Sequence, residues 1–222
     1  FKKHFLQLFQ NYYQTDSYRE QSAVQRKQLF IKDLFQYREN AELKALLIVS
    51  DLYYQTPGGL SLEQMQMNRK QARLPTKTLP GAKEQHAGIW NKMILGGLSH
   101  EFKITPNLSQ FILVQGSYVD FENPFITNFE NRFESSFAVR THLNYQKNWN
   151  KLSLEWRAGY EGGTNSILIK NYDNNRGIEG DPQNFDQLKN NSGFYFLSQK
   201  LNFSDKLFSD ISVSLNSNSY DW

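Results

Sequence analysis

Apolar residues recur at every second position along most of this chain, and that period of two excludes a mainly helical fold. The cleanest run is Arg132–Tyr145. Phe133, Phe137, Val139, Leu143 and Tyr145 fall on one face, and Arg132, Glu134, Ser136, Arg140, His142 and Asn144 on the other. In Lys151–Tyr160, Leu152, Leu154, Trp156, Ala158 and Tyr160 alternate with Ser153, Glu155 and Arg157. Further runs cover Lys3–Tyr13, Val24–Tyr37, Glu42–Tyr54, Ile89–Ile104, Ser109–Phe121, Phe194–Phe203 and Leu207–Tyr220, which makes nine in all. Several are longer than ordinary strands of about five or six residues. About ten alternating residues is the length that a tilted strand needs to cross a bilayer. Propensity alone offers a helix over Arg38–Tyr54, a stretch rich in Leu, Ala, Glu and Lys.

The connections between runs alternate in length. Residues 14–23, 55–88, 122–131 and 161–193 read as long links. Arg38–Ala41, Thr105–Leu108, Gln146–Asn150 and Ser204–Lys206 read as short turns. An antiparallel meander gathers the long links at one end and the short turns at the other, as outer-membrane barrels do. Aromatic residues collect near both ends of the runs. Tyr53, Trp90, Phe121, Phe133, Tyr160 and Tyr195 lie toward the long links, and Phe35, Tyr37, Phe102, Tyr145, Trp149 and Phe208 toward the turns. Amphipathic rings placed this way form interfacial girdles.

Composition agrees with a structure that is apolar on one face only. Among 222 residues, aromatic residues reach 15% while hydrophobic residues stay at 39%. There is no run of about 18 apolar residues, so no membrane-spanning helix is expected, whereas alternating strands are compatible with low hydropathy. Cysteine is absent, which removes disulfides and thiolate metal sites, and a net charge of +3 argues for no nucleic-acid partner. Phe1 opens no cationic, apolar leader, so any secretion signal is expected outside this sequence.

Two stretches carry a resemblance. The first runs from Tyr54-Gln-Thr-Pro-Gly-Gly-Leu60 through Asn68-Arg69, Gln71-Ala72-Arg73 and Ala82 to Gln85-His86-Ala87-Gly88-Ile89. The second is Asp120-Phe-Glu-Asn-Pro-Phe-Ile-Thr-Asn-Phe-Glu130. Both resemble extracellular loops of TonB-dependent outer-membrane receptors of the ferric-siderophore and ferric-citrate type. The resemblance extends over most of residues 1–222, read as one domain. It implies an all-β antiparallel meander that forms part of a roughly 22-stranded transmembrane β-barrel. It further implies a plug domain, here absent, through which a TonB-type energy-transducing complex acts. The expected location is the bacterial outer membrane, among lipid and lipopolysaccharide, and the transported ligand a ferric chelate. On this view the chain is a piece of the barrel wall, and transport rather than catalysis is its task. The alternatives are a passive outer-membrane channel or structural barrel, and a soluble carbohydrate-binding β-sandwich.

Candidate site residues follow from charge and position. The long link carries Arg69, Lys70, Arg73, Lys77 and Lys83 against Glu63 and Glu84, with His86 beside them. A basic mouth attracts anionic iron chelates, and arginine binds carboxylates in bidentate fashion. Arg69, Arg73, Lys83 and His86 are therefore the expected ligand contacts, against the alternative of a solvated loop. Arg132, Glu134, Arg140, Glu155 and Arg157 lie on polar strand faces, and are expected to face the lumen and plug. Asp173–Asp181 has oxygen ligands and glycines, but its spacing fails the calcium-loop pattern. His4, His86, His100 and His142 are too scattered for a metal set, so no metal site and no resident cofactor are expected.

Overall fold

The computed structural model describes residues 3–150, 152–204 and 206–222. They form one antiparallel sheet in which each strand pairs with its neighbours in sequence. The strands are β1 (Lys3–Thr15), β2 (Val24–Arg38), β3 (Ala41–Gln55), β4 (Gly88–Thr105), β5 (Leu108–Pro124), β6 (Phe129–Trp149), β7 (Leu152–Asn174), β8 (Glu179–Ser204) and β9 (Leu207–Asp221). The one helix among the described residues, α1 (Leu62–Met67), lies between β3 and β4. All nine expected runs are strands, and the alternative helix over Arg38–Tyr54 does not form: Glu39 and Asn40 make a turn and the rest from Ala41 lies in β3, where alternation overrides helix propensity. Lys151, expected to begin the seventh run, and Asp205, inside the expected Ser204–Lys206 turn, lie outside the described residues, as do residues 1 and 2.

Register carries the apolar face unbroken across the sheet. Leu29 pairs with Val49, Val49 with Ile94 and Ile94 with Tyr118. Farther along, Val114 pairs with Val139, Leu143 with Ala158, Ala158 with Leu197 and Leu197 with Val213. In a sandwich this face would be buried against a second sheet. Instead Phe137 is 54% exposed, Leu143 47% and Trp156 37%, so the sandwich alternative fails.

Aromatic rings edge this face. His4, Phe35, Tyr37, His100 and Phe102 follow one another in contact toward the short-turn end, and the Tyr37 hydroxyl lies 2.8 Å from Nε2 of His100. Toward the other end Tyr53 stacks on Trp90 at 4.5 Å, and Tyr160 meets Tyr195 at 4.9 Å.

Two expected long links are corrected. Residues 122–131 and 161–193 are mostly strand, leaving only the turns 125–128 and 175–178. β7 and β8 pair from Ser153 with Asn202 up to Asn174 with Glu179 and form a tall hairpin. Its upper residues mix Ile167, Leu168 and Ile169 with Asn, Lys and Asp on both faces, so the ladder continues where the apolar alternation stops. The link 56–87 is the long excursion, and 16–23 the next longest. This end of the sheet is called the rim below.

Candidate functional site

The 56–87 excursion is held by its own backbone rather than by a large apolar core. Thr56-Pro57-Gly58-Gly59 turns the chain out of β3. Gly58 has φ +71°, and a Cβ there would lie 2.8 Å from Cβ of Arg73. Ser61 then opens α1 with a capping box: its hydroxyl accepts from the Gln64 amide, and the Gln64 side chain accepts from the Ser61 amide. Farther on, the Arg73 amide donates to the Pro57 carbonyl at 2.7 Å, and the Ala82 amide to the Arg73 carbonyl at 3.0 Å. Such crossings need small side chains, and Ala72, Ala82 and Ala87 fill them, all buried.

The neighbouring 16–23 loop fastens this excursion. The Arg19 guanidinium donates to the Gln71 carbonyl at 2.9 Å. The Glu20 amide donates to the Lys70 carbonyl at 2.7 Å, and the Gln21 side chain to the Ala87 carbonyl at 2.9 Å.

A second fastening reaches the far hairpins through two buried amides, Gln85 and Asn174. The Gln85 side chain donates to the Ile126 carbonyl at 3.2 Å and accepts from the Arg176 amide at 3.0 Å. The Asn174 side chain donates to the carbonyls of Gln85 and Phe125, and accepts from the Gly177 amide at 2.7 Å. Four connections thereby become one hydrogen-bonded rim, each bond contributing about 0.5–1.5 kcal/mol. The sequence shows Gln85 only as part of the resembling stretch and marks neither amide for this role, because a lone loop amide has no periodicity or charge to single it out.

The expected ligand contacts all lie on the rim, in different settings. Arg69 is exposed, and Arg73 is half-buried against Gly58. The Lys83 ammonium lies 3.5 Å from the Glu20 carboxylate, so part of its charge is answered within the rim. His86 is exposed with φ +49° and borders a cleft of about 760 Å³ with Pro80, Glu84, Asn175 and Arg176.

The residues expected on the polar face share that face in the register. Arg132 lies 2.7 Å from Glu134 and 3.3 Å from Glu130, with its guanidinium over the Phe121 ring. Arg140 reaches Glu161 across the β6–β7 pair at 3.3 Å, and Arg157 meets Glu155 at 2.7 Å. His142 stacks on Phe111 at 4.9 Å. Gly159 opens the space for this packing, since a Cβ there would meet the Thr141 carbonyl oxygen at 2.3 Å. Among the described residues no three His, Cys, Asp or Glu side chains converge as a metal site, the Asp173–Asp181 loop included.

A neighbour-paired meander with one apolar face, one charged face and a built-up rim is the wall of a large membrane-type β-barrel. Solved structures share this architecture. The ferric citrate transporter FecA matches 98% of the chain at a TM-score of 0.74 and 15% identity, using 36% of its own length. BauA, the ferric preacinetobactin receptor from Acinetobacter baumannii, matches 98% at 0.71 and 9% identity, over 39% of its length. The RagAB peptide transporter matches 98% at 0.68 and 9% identity, over 30% of its length. The chain has the fold of part of the barrel of TonB-dependent receptors, and spans little more than a third of the FecA chain. No family model matches the sequence, and no curated protein matches it. Ferric chelates and a peptide both appear in the names of these proteins, so the shared fold singles out no ligand.

Proposed function

We propose that this chain is a stretch of barrel wall from a TonB-dependent receptor of the bacterial outer membrane, whose rim captures a ferric siderophore or ferric citrate for uptake. The observation that carries this reading is the basic 56–87 excursion, fixed at the rim of a sheet with the fold of FecA. Its five lysines and arginines outnumber its two glutamates, a balance that draws in anionic chelates. Arg69, Arg73, Lys83 and His86 supply donors for their carboxylates.

In this reading the apolar face meets lipid and lipopolysaccharide acyl chains. The charged face meets the lumen and a plug, through which a TonB-type energy-transducing complex acts. Nδ1 of His142 and Oδ1 of Asn144 have no hydrogen-bond partner among the described residues, which supports a further segment or lumen water against that face. Iron is cargo here, and the receptor does no covalent chemistry.

The test is binding of ferric citrate and representative ferric siderophores to the intact, detergent-solubilised receptor, with Arg69→Gln/Arg73→Gln as the paired variant. Binding that weakens in the variant supports the reading. A folded receptor that binds none of these chelates refutes the iron assignment and leaves the barrel class intact.

A further inference from the structure

On the apolar face, three consecutive rows of the register shape a groove. The middle row is Val139, Gly162, Gly193 and Ser217, paired in that order from β6 to β9. Its two glycines have no side chain to raise the surface, and a Cβ on either would run into the Tyr160 hydroxyl, at 2.8 Å in the case of Gly193. The row on the short-turn side carries Tyr160, Tyr195 and Leu215. The row on the rim side carries Phe137, Thr164, Asn191 and Ser219. Between them lies an open groove of about 510 Å³.

The groove is graded along its length. Its β6 end is apolar, with Phe137 and Val139, and its β9 end is polar, with Ser217 and Ser219. Followed back through the register, the middle row passes Val114 and Leu98 to Ala45 and Asp33, close to the Glu39-Asn40 turn. Gly193 and Ser217, in contrast, lie far above the turn that joins β8 to β9. The row therefore climbs toward the rim from β2 to β9, as strand tilt in a barrel requires. The apolar end of the groove is thus the deeper one, and the polar end is nearer the rim. None of the described residues that line the groove is charged.

We infer that this groove is an ordered site for an acyl chain of a glycolipid in the rim-side leaflet, the chain lying along Gly162 and Gly193 and the sugar hydroxyls meeting Asn191, Ser217 and Ser219. The inference rests on the reading that the apolar face meets the bilayer, and adds to it a place and a head-group class. Lipid tails are as apolar as the groove, so burial alone selects nothing there. Selection comes from close packing of methylenes on the glycine floor and from hydrogen bonds to the head. Amide and hydroxyl side chains both donate and accept, as sugar hydroxyls do. A phosphate head calls instead for the lysine or arginine that the lining lacks.

The experiment titrates the full-length receptor, folded in a polyoxyethylene detergent, with monoglucosyl dioleoylglycerol or dioleoylphosphatidylcholine, whose chains are identical. Native mass spectrometry reads the lipid retained by wild type, Gly193→Leu and Asn191→Leu. Wild type should favour the glucolipid by about tenfold or more. Gly193→Leu fills the floor and should lose both lipids. Asn191→Leu should keep the chain and lose the preference between heads. A side chain at Gly193 must displace the Tyr160 hydroxyl, so if that variant does not fold, Asn191→Leu, at an exposed position, decides alone. Retention of neither lipid, a preference for phosphatidylcholine, or a glucolipid preference unchanged in Asn191→Leu overturns the inference and leaves the bilayer face standing. A receptor that stays monodisperse after detergent removal overturns the bilayer reading itself, and this inference with it.

Discussion

The Asn174 side-chain amide donates to the backbone carbonyl of Gln85 at 3.0 Å across 89 residues of chain. This bond is the centre of the latch between the 56–87 excursion and the β7–β8 hairpin. Asn174→Ala removes it and leaves the Gly177 amide without its side-chain acceptor, at a cost of about 1–3 kcal/mol. Amide hydrogen exchange should therefore quicken over residues 80–87 and 174–178, and trypsin should cut sooner at Lys83 or Arg176. Protection lower in the sheet should stay as it was. Unaltered exchange over the rim would show that the latch does not hold it.

Gly159 gives a sharper test of packing on the charged face. A Cβ there would lie 2.3 Å from the Thr141 carbonyl oxygen and 2.5 Å from Cβ of His142. Backbone has little room to yield, so Gly159→Ala should destabilise by about 1–3 kcal/mol, read as a lower urea midpoint for the detergent-folded receptor. Gly59→Ala is the matched control, because no atom beyond its chain neighbours lies within 4 Å of its added methyl group. Equal midpoints for the two variants would contradict the close approach.

The two faces should respond oppositely to charge. Leu47 sits mid-strand on the apolar face, between Ile31 and Gly96 in the register. Leu47→Arg should cost about 2–4 kcal/mol if that face meets the bilayer midplane. Gln115→Arg, on the charged face, should cost far less. Folding yields into lipid vesicles measure both, and a Gln115 variant that fails as badly as the Leu47 variant would invert the assignment of faces.

Arg69 and Arg73 should separate binding from loop integrity. Exposed Arg69 can lose its side chain with less than about 0.5 kcal/mol of effect on stability, so Arg69→Ala should weaken chelate binding alone. Arg73 packs against Gly58, so Arg73→Ala should also loosen residues 57–60, visible as faster exchange there. Identical exchange profiles for the two variants would show that the Arg73 contact supports nothing.

The strands were legible in the sequence wherever one face is apolar and the other polar, as in β6, where Val139 and Arg140 point opposite ways. Legibility stopped where that contrast stops. In the β7–β8 hairpin Ile167, Leu168 and Ile169 put apolar side chains on both faces, and Asn184, Lys189 and Asn190 put polar ones on both, so no alternation marks residues 161–193 as strand. The basic residues of the rim could be read from charge. The latch could not, because Gln85 and Asn174 acquire meaning only when the fold brings distant turns together. Arg176 was hidden for the same reason: it sits in a turn whose partner is far away in sequence.

Because every strand in β1–β9 pairs only with its neighbours in sequence, no distant partner has to be found to extend the sheet. Each completed hairpin presents a row of free amides and carbonyls on which the next strand can be laid. Growth can run strand by strand from one edge, with the search for each partner confined to the adjoining stretch of chain. The rim fastenings come under a different rule. Residues 80–87 must wait for the β7–β8 turn before Gln85 and Asn174 can meet, so this fastening is tied to the register of a hairpin far along the chain.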